Sequence, residues 1–144
     1  MTRFLMVSYL GSRRSKPAWW SDAAWSSAVH TNEEVLPHYY QAKLAADLAL
    51  AAAARVRGAG FAAINLRPGT LADKPSSGKV ELGKTEGSEG NVSRESVALV
   101  ADSLLGSEGV KTAWLDLLDG EEEIETAVER VVRDGVDAME GEEI

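Results

Sequence analysis

The sequence contains no cysteine, which excludes a disulfide framework, a thiolate metal ligand and a thiol nucleophile. Aromatic residues make up only 6% of it. No apolar run approaches the ~20 residues that cross a bilayer as a helix. The run from Phe4 to Leu10 sits behind Arg3 as a signal-peptide core would. However, Arg13, Arg14 and Lys16 follow it directly, and no small-residue cleavage site stands where one is needed. Basic charge is scarce as well: 15 Lys and Arg against 23 Asp and Glu give a net charge of −8. Phosphate contact needs clustered cations, and the knot Arg13-Arg14 with Lys16 is too small for general nucleic-acid binding. His30 and His38 are the only histidines and come without a matching set of ligands, so no metal site is expected. The expectation is a cytoplasmic protein with neither nucleic acid nor membrane as a partner.

What remains is a globular composition, 44% hydrophobic and 26% charged over 144 residues, enough for one domain with a core. Residues 3–8 form an apolar run without helical period, which predicts a buried strand. Residues 9–36 hold Trp19, Trp20 and Trp25. They predict a long connection with a short helix near 22–28, its tryptophans either a lid packed on the domain or an apolar wall over a ligand. Pro37 opens a long Ala-rich helix to about Arg57, with Leu44, Leu48 and Ala52 at four-residue spacing, and Gly58 stops it. Residues 61–66 predict a second buried strand, so strand, helix and strand make a βαβ crossover. Residues 70–91 predict a loop with one short strand at 79–82. Ser93 starts a helix to Gly106, residues 111–118 predict a strand, and Glu121 to Glu123 occupy the first turn of a last helix to about Arg133. The acidic residues 136–144 predict a loose tail.

Two motifs match letter patterns without their mechanism. Gly78-Lys-Val-Glu-Leu-Gly83-Lys84-Thr85 fits the P-loop pattern, but phosphate cradling needs a strand before the loop and a helix after it. Neither flank has that character, and Lys-Val-Glu-Leu alternates like a strand. Gly58-Ala-Gly60-Phe-Ala-Ala63 resembles a dinucleotide fingerprint, but lies after a helix and before a strand, the reverse of the order that points amides at pyrophosphate.

Tyr39 and Lys43 differ from these decoys. Four apart, they share one helix face, and an ammonium beside a phenol favours phenolate, as a general acid/base requires. Their context carries more weight than their spacing. Phe4-Leu-Met-Val-Ser-Tyr-Leu-Gly11, then Tyr39-Tyr-Gln-Ala-Lys-Leu-Ala45, then Asn65-Leu-Arg-Pro-Gly69 and Asn91-Val-Ser-Arg-Glu-Ser-Val-Ala98 resemble, in order and spacing, the short-chain dehydrogenases/reductases. The likeness is to their atypical NmrA-like and epimerase-like NAD(P)-binding branch, over roughly residues 3–133.

The resemblance implies an α/β fold, a partial Rossmann-like, doubly wound parallel sheet lacking its N-terminal glycine-loop βαβ units. Residues 1–135 would be the C-terminal part of one NAD(P)-binding domain and 136–144 an acidic tail. The glycine loop would lie upstream of Met1, making the chain a fragment. It further implies Tyr39 as proton donor or acceptor, and Lys43 as the residue that lowers the phenol pKa and holds the ribose hydroxyls. Ser8 would hydrogen-bond the reacting oxygen, and Pro68 with Gly69 would shape the backbone beside the nicotinamide. The cofactor would be NAD or NADP, the other ligand a small-molecule substrate, and the chemistry oxidoreductase or epimerase-type in the complete protein. A non-catalytic dinucleotide-binding sensor and a small acidic interaction module are the alternatives. An unpaired buried sheet edge would favour homo-oligomerisation.

Overall fold

In the computed structural model, which describes residues 1–143, the first apolar run forms β1 (Arg3–Val7). The run after Gly60 forms β2 (Ala62–Pro68). The two pair in parallel from Arg3↔Ala62 to Val7↔Leu66, and parallel neighbours require a long crossover between them. That crossover consists of α1 (Asp22–His30), a π-helical turn at Thr31–Val35, and α2 (Pro37–Arg57). After α3 (Arg94–Gly106) the chain returns as β6 (Ala113–Asp119), parallel to β2. Strand β4 (Lys79–Gly83) runs antiparallel to β6, and the short β7 (Glu122–Glu123) lies antiparallel to β4. The main sheet therefore reads β1-β2-β6-β4-β7, with α4 (Ile124–Asp134) following β7. A separate two-stranded parallel pair joins β3 (Thr70–Ala72) to β5 (Asn91–Ser93).

One face of the sheet carries the apolar core. Ile64 and Leu66 of β2, Leu115 and Leu117 of β6, Val100 and Leu104 of α3, and Val128 and Val131 of α4 pack there. In α4 the buried Ile124, Ala127, Val128 and Val131 recur at helical spacing, so one stripe faces the sheet. Each fully buried Val or Leu contributes about 1.5–3 kcal/mol relative to an exposed one. The other face is covered by α2, through Asp47, Ala51 and Ala54.

The structure corrects several expectations. The face of α2 toward the sheet is Asp47-Ala51-Ala54, while Leu44 and Leu48 are half-buried and Ala52 is exposed; small residues let the helix approach and a charged residue finds partners beneath it. Strand β1 is only half-buried, with Phe4 41% and Val7 40% exposed, because no described strand pairs with its outer edge. Glu122 and Glu123 belong to β7, so Glu125 is the acid in the first turn of α4. The tail is not loose where it leaves α4. Ala138 is fully buried, its amide bonds Trp114 O, and Asp137 Oδ1 accepts from the amides of Trp114 and Met139. The P-loop-like stretch is indeed strand β4. Gly58, at φ 75°, ends α2 in a conformation that favours glycine. Among the described residues no helix is long and apolar enough to cross a membrane.

Candidate functional site

In open parallel sheets ligands bind beyond the carboxyl ends of the strands, which here are Val7-Ser8 of β1 and Pro68-Gly69 of β2. The ladder between them continues past the strand ends, through Ser8 N–H to Leu66 O at 2.7 Å and Leu10 N–H to Pro68 O at 3.0 Å. Pro68 can end this ladder because it needs to supply only its carbonyl. Helix α2 begins above this end. Its Tyr39 is 44% exposed, and the Lys43 ammonium lies 5.5 Å from the centre of the Tyr39 ring. Lys43 Nζ also donates to Val7 O at 3.4 Å, one residue before Ser8. Ser8 is buried, and its Oγ has no hydrogen-bond partner. An unpartnered buried hydroxyl is unusual.

Tyr39, Lys43 and Ser8 thus gather where β1 ends, with Pro68 on the neighbouring strand. Gly69 lies on the far side of Pro68, and its amide donates to Leu117 O at 3.1 Å. A Cβ at this position would stand 2.6 Å from both Gly90 O and Leu118 Cδ2, so only glycine lets the chain turn here between two neighbours.

Two residues beside this group were not anticipated. Tyr9 meets the Tyr39 ring edge-on at 5.3 Å, and its hydroxyl donates to Asn32 Oδ1 at 3.1 Å. Asn32 in turn donates to Gly11 O at 2.7 Å, so the loop after β1 is tied to the π-helical turn that precedes α2. Burial first, and then the neighbouring phenols Tyr39 and Tyr40, push the Tyr9 pKa above the usual phenol value. Tyr40 donates its own hydroxyl to Arg13 O at 3.0 Å.

Below this end of the sheet lies a fully buried ionic network. The Asp47 carboxylate receives Ser12 Oγ at 2.7 Å, Asn65 Nδ2 at 2.9 Å and Arg67 Nη1 at 2.9 Å. Arg67 Nε reaches Asp116 at 3.3 Å, and Arg13 Nη2 binds the same Asp116 at 2.8 Å. All four charged side chains are 0% exposed, so two arginines meet two aspartates with no net charge left over. Burial draws the Arg67 pKa down and the Asp116 pKa up, and the attraction between opposite charges works against both shifts. Indole faces complete the enclosure: Arg67 lies 3.9 Å from Trp114, and Arg13 within 5.7 Å of Trp19, Trp20 and Trp114. The tryptophan cluster packs as a lid, with Trp20 Nε1 donating to Thr85 O and Trp19 and Trp25 against Leu10 and Leu118. Arg13, which stands in the sequence in a basic knot with Arg14 and Lys16, is buried. The signal was present in the sequence: Asp47 inside an Ala-rich helix, Asn65 and Arg67 inside an apolar strand, and Asp116 inside another. Charges in such runs are buried only if paired.

Comparison with known proteins agrees with this architecture. A family model described as NAD(P)H-binding matches residues 1–108. Among solved structures, an oxidoreductase of Lactococcus lactis superposes with a TM-score of 0.67 at 21% identity, covering 92% of this chain and 52% of that one. A Bacillus halodurans protein assigned as an NAD-dependent epimerase/dehydratase gives 0.66 at 23% identity, over 90% and 51%. A short-chain dehydrogenase/reductase of Veillonella parvula gives 0.58 at 17% identity, over 85% and 53%. The chain therefore spans about half the length of the solved structures it matches, and the likeness is one of fold. Among curated proteins no sequence matches it.

Proposed function

The chain belongs to the NAD(P)H-binding family, and from that premise we propose that it carries the nicotinamide side of an oxidoreductase or epimerase-type site. The cofactor is NAD or NADP. When bound, the dinucleotide supplies or accepts hydride, and the chain's own residues handle the proton and the geometry. Tyr39 delivers a proton to a substrate carbonyl oxygen or takes one from a hydroxyl. Lys43, beside its ring, stabilises the negative charge that develops on the phenol oxygen and holds the ribose hydroxyls. Ser8 directs its buried hydroxyl to the reacting oxygen. Pro68 and Gly69 set the backbone beside the ring. The other ligand is a small carbonyl or hydroxyl compound.

The observation that carries this reading is the Lys43 ammonium held between the Tyr39 ring and Val7 O, next to a buried serine hydroxyl without a partner. That donor set fits a sugar hydroxyl and a reacting oxygen. A bulk negative charge of −8 supports the absence of a nucleic-acid partner. The unpaired outer edge of β1, with Phe4 and Val7 exposed, supports self-association through that edge.

The test is NAD(P)H oxidation by the protein expressed from its full reading frame, with a panel of carbonyl compounds and with Tyr39→Phe. Loss of the proton-transfer group should lower turnover by roughly 10²–10⁴-fold while cofactor binding persists. Turnover that survives the change would sink the catalytic role. Cofactor binding without any Tyr39-dependent turnover would favour the non-catalytic dinucleotide-binding reading.

A further inference from the structure

The segment that follows α4 returns to the loop after β1 and places a carboxylate on it. Arg14 N–H donates to Glu142 Oε2 at 3.2 Å, and Ser15 N–H donates to Glu142 Oε1 at 3.1 Å. Two successive amides thus hold one carboxylate, one donor for each oxygen, as backbone nests hold anions. The Arg14 guanidinium donates to Glu143 O beside it. Burial first, and then Glu142, raise the Tyr40 pKa, while Arg14 lowers it, so these groups share one environment.

Each side of this contact is held in place without it. On the loop, Ser12 N–H bonds Tyr9 O, Arg13 N–H bonds Gly11 O, and Arg13 O accepts from Tyr40. The buried Arg13 side chain is fixed by Asp116 and Ala138 O. The next two amides therefore keep their direction when Glu142 leaves, and a preset site costs little to order on binding. On the other side, Ala138 and Asp137 anchor the segment to β6. The exposed Gly141, at φ 91°, lies between that anchor and Glu142, a backbone that suits glycine and serves as a pivot. Beside Glu142 an open groove of about 580 Å³ gives the rest of a ligand room. Its other acids already have partners: Asp134 has Arg133, Asp137 has two amides, and Glu140 has Lys84.

We propose that the Arg14 and Ser15 amides form a binding site for the carboxylate of a small organic acid, with Glu142 as its built-in competitor. The ligand's carboxylate takes over the two amide bonds, and Glu142 swings out about Gly141. The Arg14 guanidinium, released from Glu143 O by the same movement, is left for the incoming charge. The donors are main-chain groups of the loop after β1, so the site does not depend on the roles given to Tyr39, Lys43 and Ser8.

The probe is sodium propanoate, titrated at constant ionic strength into the 144-residue chain while the Arg14 and Ser15 amide resonances are followed by NMR. The expected result is a saturable shift of both amides in Glu142→Ala. Wild type should need about tenfold more propanoate, as a competitor docked about nine-tenths of the time predicts. Glu108→Ala removes an exposed acid elsewhere and should behave as wild type, which separates competition from a change in net charge. Propanamide, the neutral analogue, should move neither amide. No saturable shift of these amides in Glu142→Ala overturns the proposal and leaves Glu142 as a contact of the segment alone. Equal propanoate affinity in wild type and Glu142→Ala, or an equal response to propanamide, overturns it as well.

Discussion

Replacing Asp47 by alanine should be among the most damaging single changes in this chain. The carboxylate satisfies Ser12 Oγ, Asn65 Nδ2 and Arg67 Nη1 at 2.7 to 2.9 Å, in a place with no exposure. Without it Arg13 and Arg67 share the single carboxylate of Asp116, which leaves one buried positive charge uncompensated. Breaking a buried pair in this way costs about 3–5 kcal/mol, and the orphaned Ser12 and Asn65 groups add to it without being fully additive. We expect a loss of about 4 kcal/mol, a large part of the roughly 5–15 kcal/mol that holds an ordinary domain together. Urea unfolding followed by tryptophan fluorescence would show it, since Arg67 stacks 3.9 Å from Trp114. With a slope of about 1.5 kcal/mol/M, the midpoint should fall by about 2–3 M. Removing the now unpaired charge as well, in Asp47→Ala/Arg67→Met, leaves Arg13 with Asp116 and should recover at least about 2 kcal/mol relative to the sum of the single changes. A loss below about 1 kcal/mol for Asp47→Ala, or strict additivity in the cycle, would refute the charge-balance argument.

Tyr9 and Tyr40 both have raised pKa values in the folded chain, chiefly through burial. The stabilisation linked to their protonated forms is therefore complete below the unfolded phenol value near ~10 and is lost as pH rises through the folded values. Absorbance titration at 295 nm should show Tyr9 and Tyr40 ionising late, with Tyr9→Phe removing one late step; a titration without late steps would contradict this. Gly69→Ala should destabilise the chain by about 1–3 kcal/mol, because its Cβ would stand 2.6 Å from Gly90 O and Leu118 Cδ2; thermal melting at or above the wild-type midpoint would argue against that close approach. Ser8→Ala removes a hydroxyl with no partner, so stability should change by less than about 1 kcal/mol while turnover falls. A large stability loss would assign Ser8 a structural bond instead.

Most of the framework was legible from pattern. Pro37 and Gly58 mark α2 at both ends, and the runs that became β1, β2 and β6 are apolar with turn residues beside them. What escaped was set by contacts between distant segments. Strands β3 and β5 are three residues each and exist through pairing with one another, which leaves too few positions for a period to show. The tail after Gly135 reads as solvated charge, yet Ala138 docks on β6 through a main-chain bond that any sequence could make, and Asp137 through its carboxylate, which accepts from the Trp114 amide. In the site, Tyr39 and Lys43 could be paired from spacing alone. Tyr9 and Asn32 could not, since their contact spans 23 residues and depends on where the π-helical turn sets the loop. Asp47, Arg67 and Asp116 stand in the sequence as charges in apolar runs and Arg13 does not, but which partner each would find is decided only when helix, loop and sheet close together.

The central claim is that this chain grips the nicotinamide end of the cofactor, with Lys43 on the ribose hydroxyls. It is tested most directly by titrating the 144-residue chain with reduced nicotinamide mononucleotide and, separately, with adenosine monophosphate, following binding by calorimetry in wild type and in Lys43→Ala. Saturable binding of the nicotinamide nucleotide that Lys43→Ala weakens about tenfold, with adenosine monophosphate bound far more weakly, is the predicted result. Preference for adenosine monophosphate, or nicotinamide nucleotide binding indifferent to Lys43→Ala, would contradict it.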